Sequence, residues 1–423
     1  MEPTPHPFFE QPHRTLIRLS IPVLLSLTAE PITALVDTAF ISSLGVVPLA
    51  ALGVGTTALS SLFWMFGFLG VGAQTEIAQL YGGGKKEQAG GILSLTLLMS
   101  LIAGVLIILV ISPGAEWLTR LLGASGAVQE NAILYMRIRL FGAPAVLLTL
   151  TVFGALRGIQ DMRTPLWIAL GVNGLNIILD WLLIFGKGPF PALGVEGSAL
   201  ASTISQWLGT LVGLVLVSRK IQLSRTFQMR ETLKIMRIGG DMFIRTGMLN
   251  LFLIYTTRAA NQISPSSGAA HQVLRQMWVF TALALDAFAS TVQSLVGYFI
   301  GQGSVRNARS VVRVVMAWSL GTGIALGLLM IGGQDLVIHY LVPPSAAAVF
   351  LPAWWVSALS QPLNSIAFLT DGVHLGTGDY GFLRNAVLSS SLAGILGLWI
   401  LERTGPGTLT GIWIMITIWI ILR

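Results

Sequence analysis

Acids and amides inside apolar runs are where this chain could do chemistry. Glu30 and Asp37 interrupt "LTAEPITALVDTAF" (27–40), and Asn173, Asn176 and Asp180 interrupt "GVNGLNIILDWLLIF" (171–185). Seven helical residues make about two turns, so Glu30 and Asp37 project from nearly one face, about 10 Å apart along the axis. Asn173, Asn176 and Asp180, at i, i+3 and i+7, form one polar stripe. Carboxylates in hydrocarbon are energetically expensive; those that occur face a bundle interior or an aqueous cavity and mark ion or proton pathways. An asparagine amide can hydrogen-bond either form of a carboxyl, which suits a site that holds and releases a proton. Pro31 removes a backbone hydrogen bond beside Glu30 and is a candidate hinge. The alternative for the acids is permanent pairing, with an arginine or with each other. For the asparagines it is hydrogen bonding between helices.

Other polar residues carry less. Ser202 and Thr203 read as caps of backbone carbonyls or as helix-packing hydroxyls. Asp286 and Asp371 are candidate ion ligands of the second half, and Asp371 equally suits pairing with a nearby arginine. His271 reads as a packed, hydrogen-bonded side chain, and Arg245 and Arg275 as partners of acids or carbonyls. There is no HExxH zinc motif, and "YGGGKK" lacks the spacing and the Ser/Thr of a phosphate-binding loop. No enzymatic activity, cofactor or metal site is expected. Pumping must then draw on an ion gradient, of protons or of sodium.

The elements that position these residues are transmembrane helices. The 423 residues are 54% hydrophobic and 10% charged, with a mean hydropathy of +0.77, against about 25% charged in an ordinary soluble protein. Apolar runs of about 20 residues, enough to cross a bilayer core, recur throughout and are too long and continuous for barrel strands. Twelve spans are predicted: 14–39, 47–81, 90–112, 131–157, 164–186, 195–218, 234–258, 268–300, 309–332, 347–371, 380–401 and 408–423. With no cysteine, disulfides and thiol chemistry are excluded. "MEPTPHPFFEQPHRTLIRLS" has neither the pattern of a signal peptide nor that of a transit peptide.

The pI of about 10.0 does not point to nucleic acid. With an internal N-terminus, most of the basic residues fall in cytoplasmic segments, among them Arg14, Lys85, Lys86, Arg219, Arg225 and Arg306. Arg120, Arg137, Arg139, Lys187, Arg245, Arg258, Arg275 and Arg403 do not. Both termini are expected in the cytoplasm. The expected organisation is a cytoplasmic N-terminus (1–13), a six-helix lobe (14–218), a basic cytoplasmic linker (219–233) and a second six-helix lobe (234–423).

The two halves repeat. At a shift of 219, Gln74, Gly82, Gly84 and Ala89 match Gln293, Gly301, Gly303 and Ala308, and Arg18 matches Arg237. Further on a shift of 214 pairs Gly158 with Gly372 and Gly197 with Gly411. Six spans per half make the repeats parallel, the architecture of transporters that hold substrate at the repeat interface and alternate access.

"LVDTAFISSLG", "NIILDWLLIF" and "GVEGSALASTISQ", with "QSLVGYFIGQG" and "FLTDGVHLGTGDYGFLRNA" in the second half, resemble the multidrug and toxic compound extrusion (MATE) family, and within it the DinF-like branch. The resemblance covers almost the whole chain. It implies an all-α protein of twelve helices in two lobes around a central cavity, exporting organic compounds in exchange for protons or sodium. By matching motifs, the first-helix acid of the branch falls on Asp37, the fifth-helix pair on Asn176 and Asp180, a sixth-helix hydroxyl on Ser202 and a fourth-helix tyrosine on Tyr135. Sodium-coupled relatives carry acids in the seventh and eighth helices, whereas "MFIRTGMLNLFLIYTTRAA" has none. Glu30 is an additional acid beside the usual first-helix aspartate.

The expected function is proton-coupled export of amphipathic cations through alternating access, by a monomer in a plasma membrane of bacterial type or an organellar membrane. Its expected partners are the organic substrate and membrane lipids. The alternatives are sodium coupling and, from another class, a lipid-linked intermediate flippase of the same superfamily. A flippase would call for a cationic cavity, and the intramembrane residues here are acids.

Overall fold

The computed structural model describes residues 6–224, 229–404 and 407–423. Residues 1–5 of the expected N-terminal segment, and 225–228 of the expected linker with Arg225, lie outside them. Every regular element among the described residues is helical. A short α1 (Pro7–Glu10) precedes the first repeat: α2 (Pro12–Ser42), α3 (Val46–Met65), α4 (Phe68–Gly82), α5 (Lys86–Leu121), α6 (Gly126–Leu140), α7 (Ala143–Gly158), α8 (Arg163–Phe185) and α9 (Val195–Lys220). The second repeat is α10 (Met229–Ile263), α11 (Pro265–Gly301), α12 (Val305–Gly332), α13 (Gln334–Leu341), α14 (Ala347–Leu359), α15 (Gln361–Thr377), α16 (Tyr380–Thr404) and α17 (Leu409–Leu422).

These helices stand where the twelve spans are expected, with α3–α4, α6–α7 and α14–α15 each completing one span. Eight are long and apolar enough to cross a membrane, or nine when α6 and α7, bent by 49°, count as one. The remaining three fall short for identifiable reasons. Arg230, Lys234, Arg237, Asp241 and Arg245 dilute α10, α14 and α15 are each short, and α17 has 14 residues. Large apolar side chains such as Leu109, Val110, Trp117, Leu328 and Leu329 are exposed along the spans, as lipid-facing surfaces require.

The repeat is visible in the helix ends. Gly84 and Gly303 adopt φ of +73° and +75°, a left-handed backbone open mainly to glycine. After each, the chain closes with matching bonds, Lys85 N to Leu80 O at 2.8 Å and Ser304 N to Phe299 O at 2.9 Å. One sequence pairing needs correction. A Cβ on Gly154 would meet Gly70 O at 2.1 Å, and one on Gly372 would meet Ala289 O at 2.4 Å. Gly158 likewise faces Gln74 O and Ile77, as Gly376 faces Gln293 O and Val296. The packing therefore aligns Gly154 with Gly372 and Gly158 with Gly376, a shift of 218 rather than 214. The sequence alignment slipped by one turn because both helices carry glycines four residues apart.

The chain divides into two compact units, Ile21–Gly239, and the chain up to Ser20 together with Gly240–Arg423. The dividing points lie inside α2 and α10 and are one repeat interval apart. Inside the first unit, α7 is held against α4 by the Gly70–Gly154 approach, and against α5 by Ser100–Thr151 (2.7 Å). α9 docks on α7 through Thr149–Thr210 (2.8 Å). Small residues and hydroxyls at helix contacts replace the hydrophobic drive that lipid does not supply. The second unit has an aromatic core, in which Phe252 stacks on Trp419 with ring centroids 4.7 Å apart.

Candidate functional site

Four elements of the first unit bring polar groups together. From α8, the Asn176 amide donates to Asp180 Oδ2 at 2.5 Å, across one turn of the same helix. From α9, Ser202 Oγ donates to Asn176 Oδ1 at 3.3 Å. From α2, the Asp37 carboxyl comes within hydrogen-bonding reach of Asp180. From α6, Tyr135 and Arg139 face the acid pair, one turn apart. The Tyr135 ring has room because Gly55 of α3 carries no side chain; a Cβ there would fall 2.5 Å from its edge. Asp180 is fully buried and Asn176 nearly so.

The bonding is incomplete in an informative way. Asp37 Oδ1 and Asp180 Oδ1 are both buried without a donor at bonding geometry, and so is Arg139 Nη1 without an acceptor. Two ionised carboxylates only accept hydrogen bonds, so the Asp37–Asp180 contact is repulsive until one acid carries a proton. One proton turns it into a hydrogen bond. Arg139 stands close enough to act on both acids electrostatically, but among the described residues it forms no ion pair with either.

The other predicted residues divide. Thr203 Oγ1 donates to Ala199 O at 2.8 Å and Asn173 Nδ2 to Ala169 O at 2.8 Å, each bonding back to its own helix. Glu30 is exposed and is not brought into the cluster. α2 runs unbroken through Pro31. Asp286 is exposed. Asp371 is buried and ion-paired with both Arg245, at 2.5 Å, and Arg423, which is the arginine pairing open to it from sequence. Among the described residues no three His, Asp or Glu side chains gather as a metal site.

Two members escaped the sequence reading. Ser198 of α9 lies beside Asp180, one turn before Ser202. Arg139 lies one turn after Tyr135. Both i, i+4 spacings are present in the sequence and point to a shared helix face.

Outside the spans, Asp161 caps α8, accepting from Thr164 N at 3.1 Å and Thr164 Oγ1 at 2.6 Å, and pairs with Lys220. Burial pushes its carboxyl up, but the hydrogen bonds from Lys220 and Thr164 together outweigh that and hold it below the usual carboxylate range. Asp379 caps α16 in the same way, accepting from Phe382 N at 3.2 Å. The shift of 218 therefore persists into α8 and α16.

That register shows what the second repeat keeps. At the shift of 219 that holds for α2 and α10, Thr256 stands where α2 has Asp37; at 218, Gly394 stands where α8 has Asn176 and Leu398 where α8 has Asp180. A Cβ on Gly394 would fall 2.6 Å from the Phe252 ring, Leu398 is buried, and Thr256 donates to Leu253 O at 2.7 Å. At the positions where the first repeat holds two acids and an amide, the second has packed side chains and a hydroxyl bonded to its own helix.

The MatE family model matches residues 22–182 and 243–400, one stretch in each repeat. The chain is 29% identical to Protein DETOXIFICATION 44, chloroplastic, of Arabidopsis thaliana, over 96% of this chain and 80% of that protein. It is 28% identical to DNA damage-inducible protein F of Escherichia coli, over 98% and 91%. A solved MOP superfamily transporter from Pyrococcus furiosus, described as having a binding pocket of reverse polarity, superposes with a TM-score of 0.86 at 22% identity, covering 96% of this chain and 92% of that one. A MATE structure in a bent conformation superposes with a TM-score of 0.88 at 24% identity, over 97% and 92%. With both repeats matched, the chain belongs to the MatE family, the multidrug and toxic compound extrusion transporters that its sequence resembles.

Proposed function

We propose that this protein is a proton-coupled antiporter that exports amphipathic organic cations by alternating access, with Asp37 and Asp180 as its coupling pair. The observation that carries this reading is the approach of the two carboxyls, in which Asp37 Oδ1 and Asp180 Oδ1 are buried without a hydrogen-bond partner. With Arg139 nearby, two ionised acids leave the cluster one negative charge in excess. One monovalent cation neutralises it. A proton does so by bridging the acids, and a cationic substrate does so by its field, so each disfavours the other. Mutual exclusion of this kind is what antiport requires, and linkage makes it reciprocal.

Each neighbour then has a task. Asn176 holds Asp180 in both protonation states, donating its amide to the carboxylate while its carbonyl is steadied by Ser202. Ser198 offers a hydroxyl that can turn either way. Arg139 lowers the excess negative charge from two to one and so sets the stoichiometry. The second repeat, lacking acids at the equivalent positions, carries no coupling carboxyl there. The membrane is a plasma membrane of bacterial type or an organellar one, with both termini in the cytoplasm.

The test is movement of a cationic dye in proteoliposomes under imposed proton or sodium gradients, for wild type, Asp37→Asn and Asp180→Asn. A proton gradient alone should drive exchange, and either substitution should abolish it. Exchange driven only by sodium would replace the proton with a metal cation at the same acids. No cation movement by folded protein under either gradient would favour lipid-linked substrates instead.

A further inference from the structure

The second unit contains a cavity of about 580 Å³ between the ends of α10 and α16, lined by Tyr255, Arg258, Leu392, Ile395, Leu396, Trp399, Glu402 and Arg403. Its two halves differ in chemistry. Leu392, Ile395 and Leu396 form an apolar floor that rises through the last turns of α16, with Leu392 and Leu396 exposed. At the mouth, the Arg403 guanidinium lies 4.3 Å from the Trp399 ring centroid and that of Arg258 lies 5.6 Å from that of Tyr255.

Aromatic stacking holds these arginines in place without neutralising them. Neither is ion-paired among the described residues, and the nearby acid, Glu402, accepts instead from Tyr255 Oη at 3.3 Å. The mouth therefore carries two guanidinium charges and one carboxylate, one positive charge in excess. Tyr, Trp and Arg at span ends are the composition of a membrane–water interface. α10 and α16 are both odd-numbered spans, so their ends lie on the same side of the membrane. Arg258 and Arg403 are two of the basic residues that the cytoplasmic loops do not absorb.

We propose that this groove binds an anionic phospholipid from the leaflet on that side. Its phosphate sits between Arg258 and Arg403, and an acyl chain lies along Leu392, Ile395 and Leu396. Guanidinium groups match phosphate oxygens with paired, charge-assisted hydrogen bonds, and one excess positive charge matches one phosphodiester. An anionic lipid seated here would fasten the ends of α10 and α16 to each other.

Native mass spectrometry of the delipidated full chain, titrated with phosphatidylglycerol or phosphatidylcholine, tests the assignment. Wild type should bind phosphatidylglycerol about tenfold more tightly than phosphatidylcholine, and Arg258→Gln with Arg403→Gln should erase the difference. Leu396→Trp, which fills the groove but leaves the charges, should weaken both lipids. Full phosphatidylglycerol preference in the double arginine variant would overturn the proposal. So would competition by soluble glycerol phosphate at the same concentration, since that would make the headgroup alone the ligand.

Discussion

Gly154→Ala should destabilise the protein far more than the gain of one methyl group suggests. The new Cβ would sit 2.1 Å from Gly70 O, about 1.3 Å inside ordinary contact, and the nearest atoms are all backbone. No rotamer can relieve that clash, so α4 and α7 must part. Overpacking of this kind costs about 1–3 kcal/mol and more where backbone must move. Alanine's helix preference offsets about 1 kcal/mol. A net loss of about 2 kcal/mol lowers Tm by about 4–8 °C in a unit of this size. The assay is apparent Tm in detergent at a fixed scan rate, with Gly53→Ala and Gly171→Ala as controls whose Cβ would meet nothing within 4 Å; these should hold or gain stability. Gly372→Ala should fall in the same range as Gly154→Ala, because its Cβ would lie 2.4 Å from Ala289 O. If Gly154→Ala melts with the controls, the close approach of α4 and α7 is not what holds them together. If Gly372→Ala is neutral while Gly154→Ala is not, the corrected register of the repeat is wrong.

Asp371→Asn strips the buried partner from Arg245 and Arg423, a loss of about 3–5 kcal/mol, and should sharply reduce the yield of monodisperse protein. Replacing Arg423 with Met in that background should restore part of it. Glu30→Gln, at an exposed acid outside the cluster, should leave proton-driven exchange near the wild-type rate, so loss of exchange would place Glu30 in the pathway. Asp161 is held below the usual carboxylate range, so its contribution is present above its unfolded value and fades as pH falls through the folded one. The thermal difference between wild type and Asp161→Asn should accordingly be full at pH 6–7 and shrink progressively as pH falls below about 4, and a difference undiminished in strong acid would refute the capping role.

The sequence by itself determined the class, the repeat and half of the site. Hydropathy marks apolar spans without any tertiary information, because each span satisfies its own backbone hydrogen bonds. Asn176 and Asp180 were legible as a pair because they lie one turn apart on one helix. The glycines of "YGGGK" and "FIGQGS" were legible as matching turns because each needs a left-handed residue. What the sequence left open was which acid meets which partner. Glu30 and Asp37 share an expected helical face and a carboxyl group, yet Asp37 alone reaches Asp180, a meeting of two helices far apart in the chain. Asp371 had two equal readings until Arg245 and Arg423 were found against it. Arg139 and Ser198 gained meaning only when α6 and α9 packed around α8. Tertiary structure decided these points because a carboxylate's role depends on the donors and charges within a few ångströms of it, and those come from other helices.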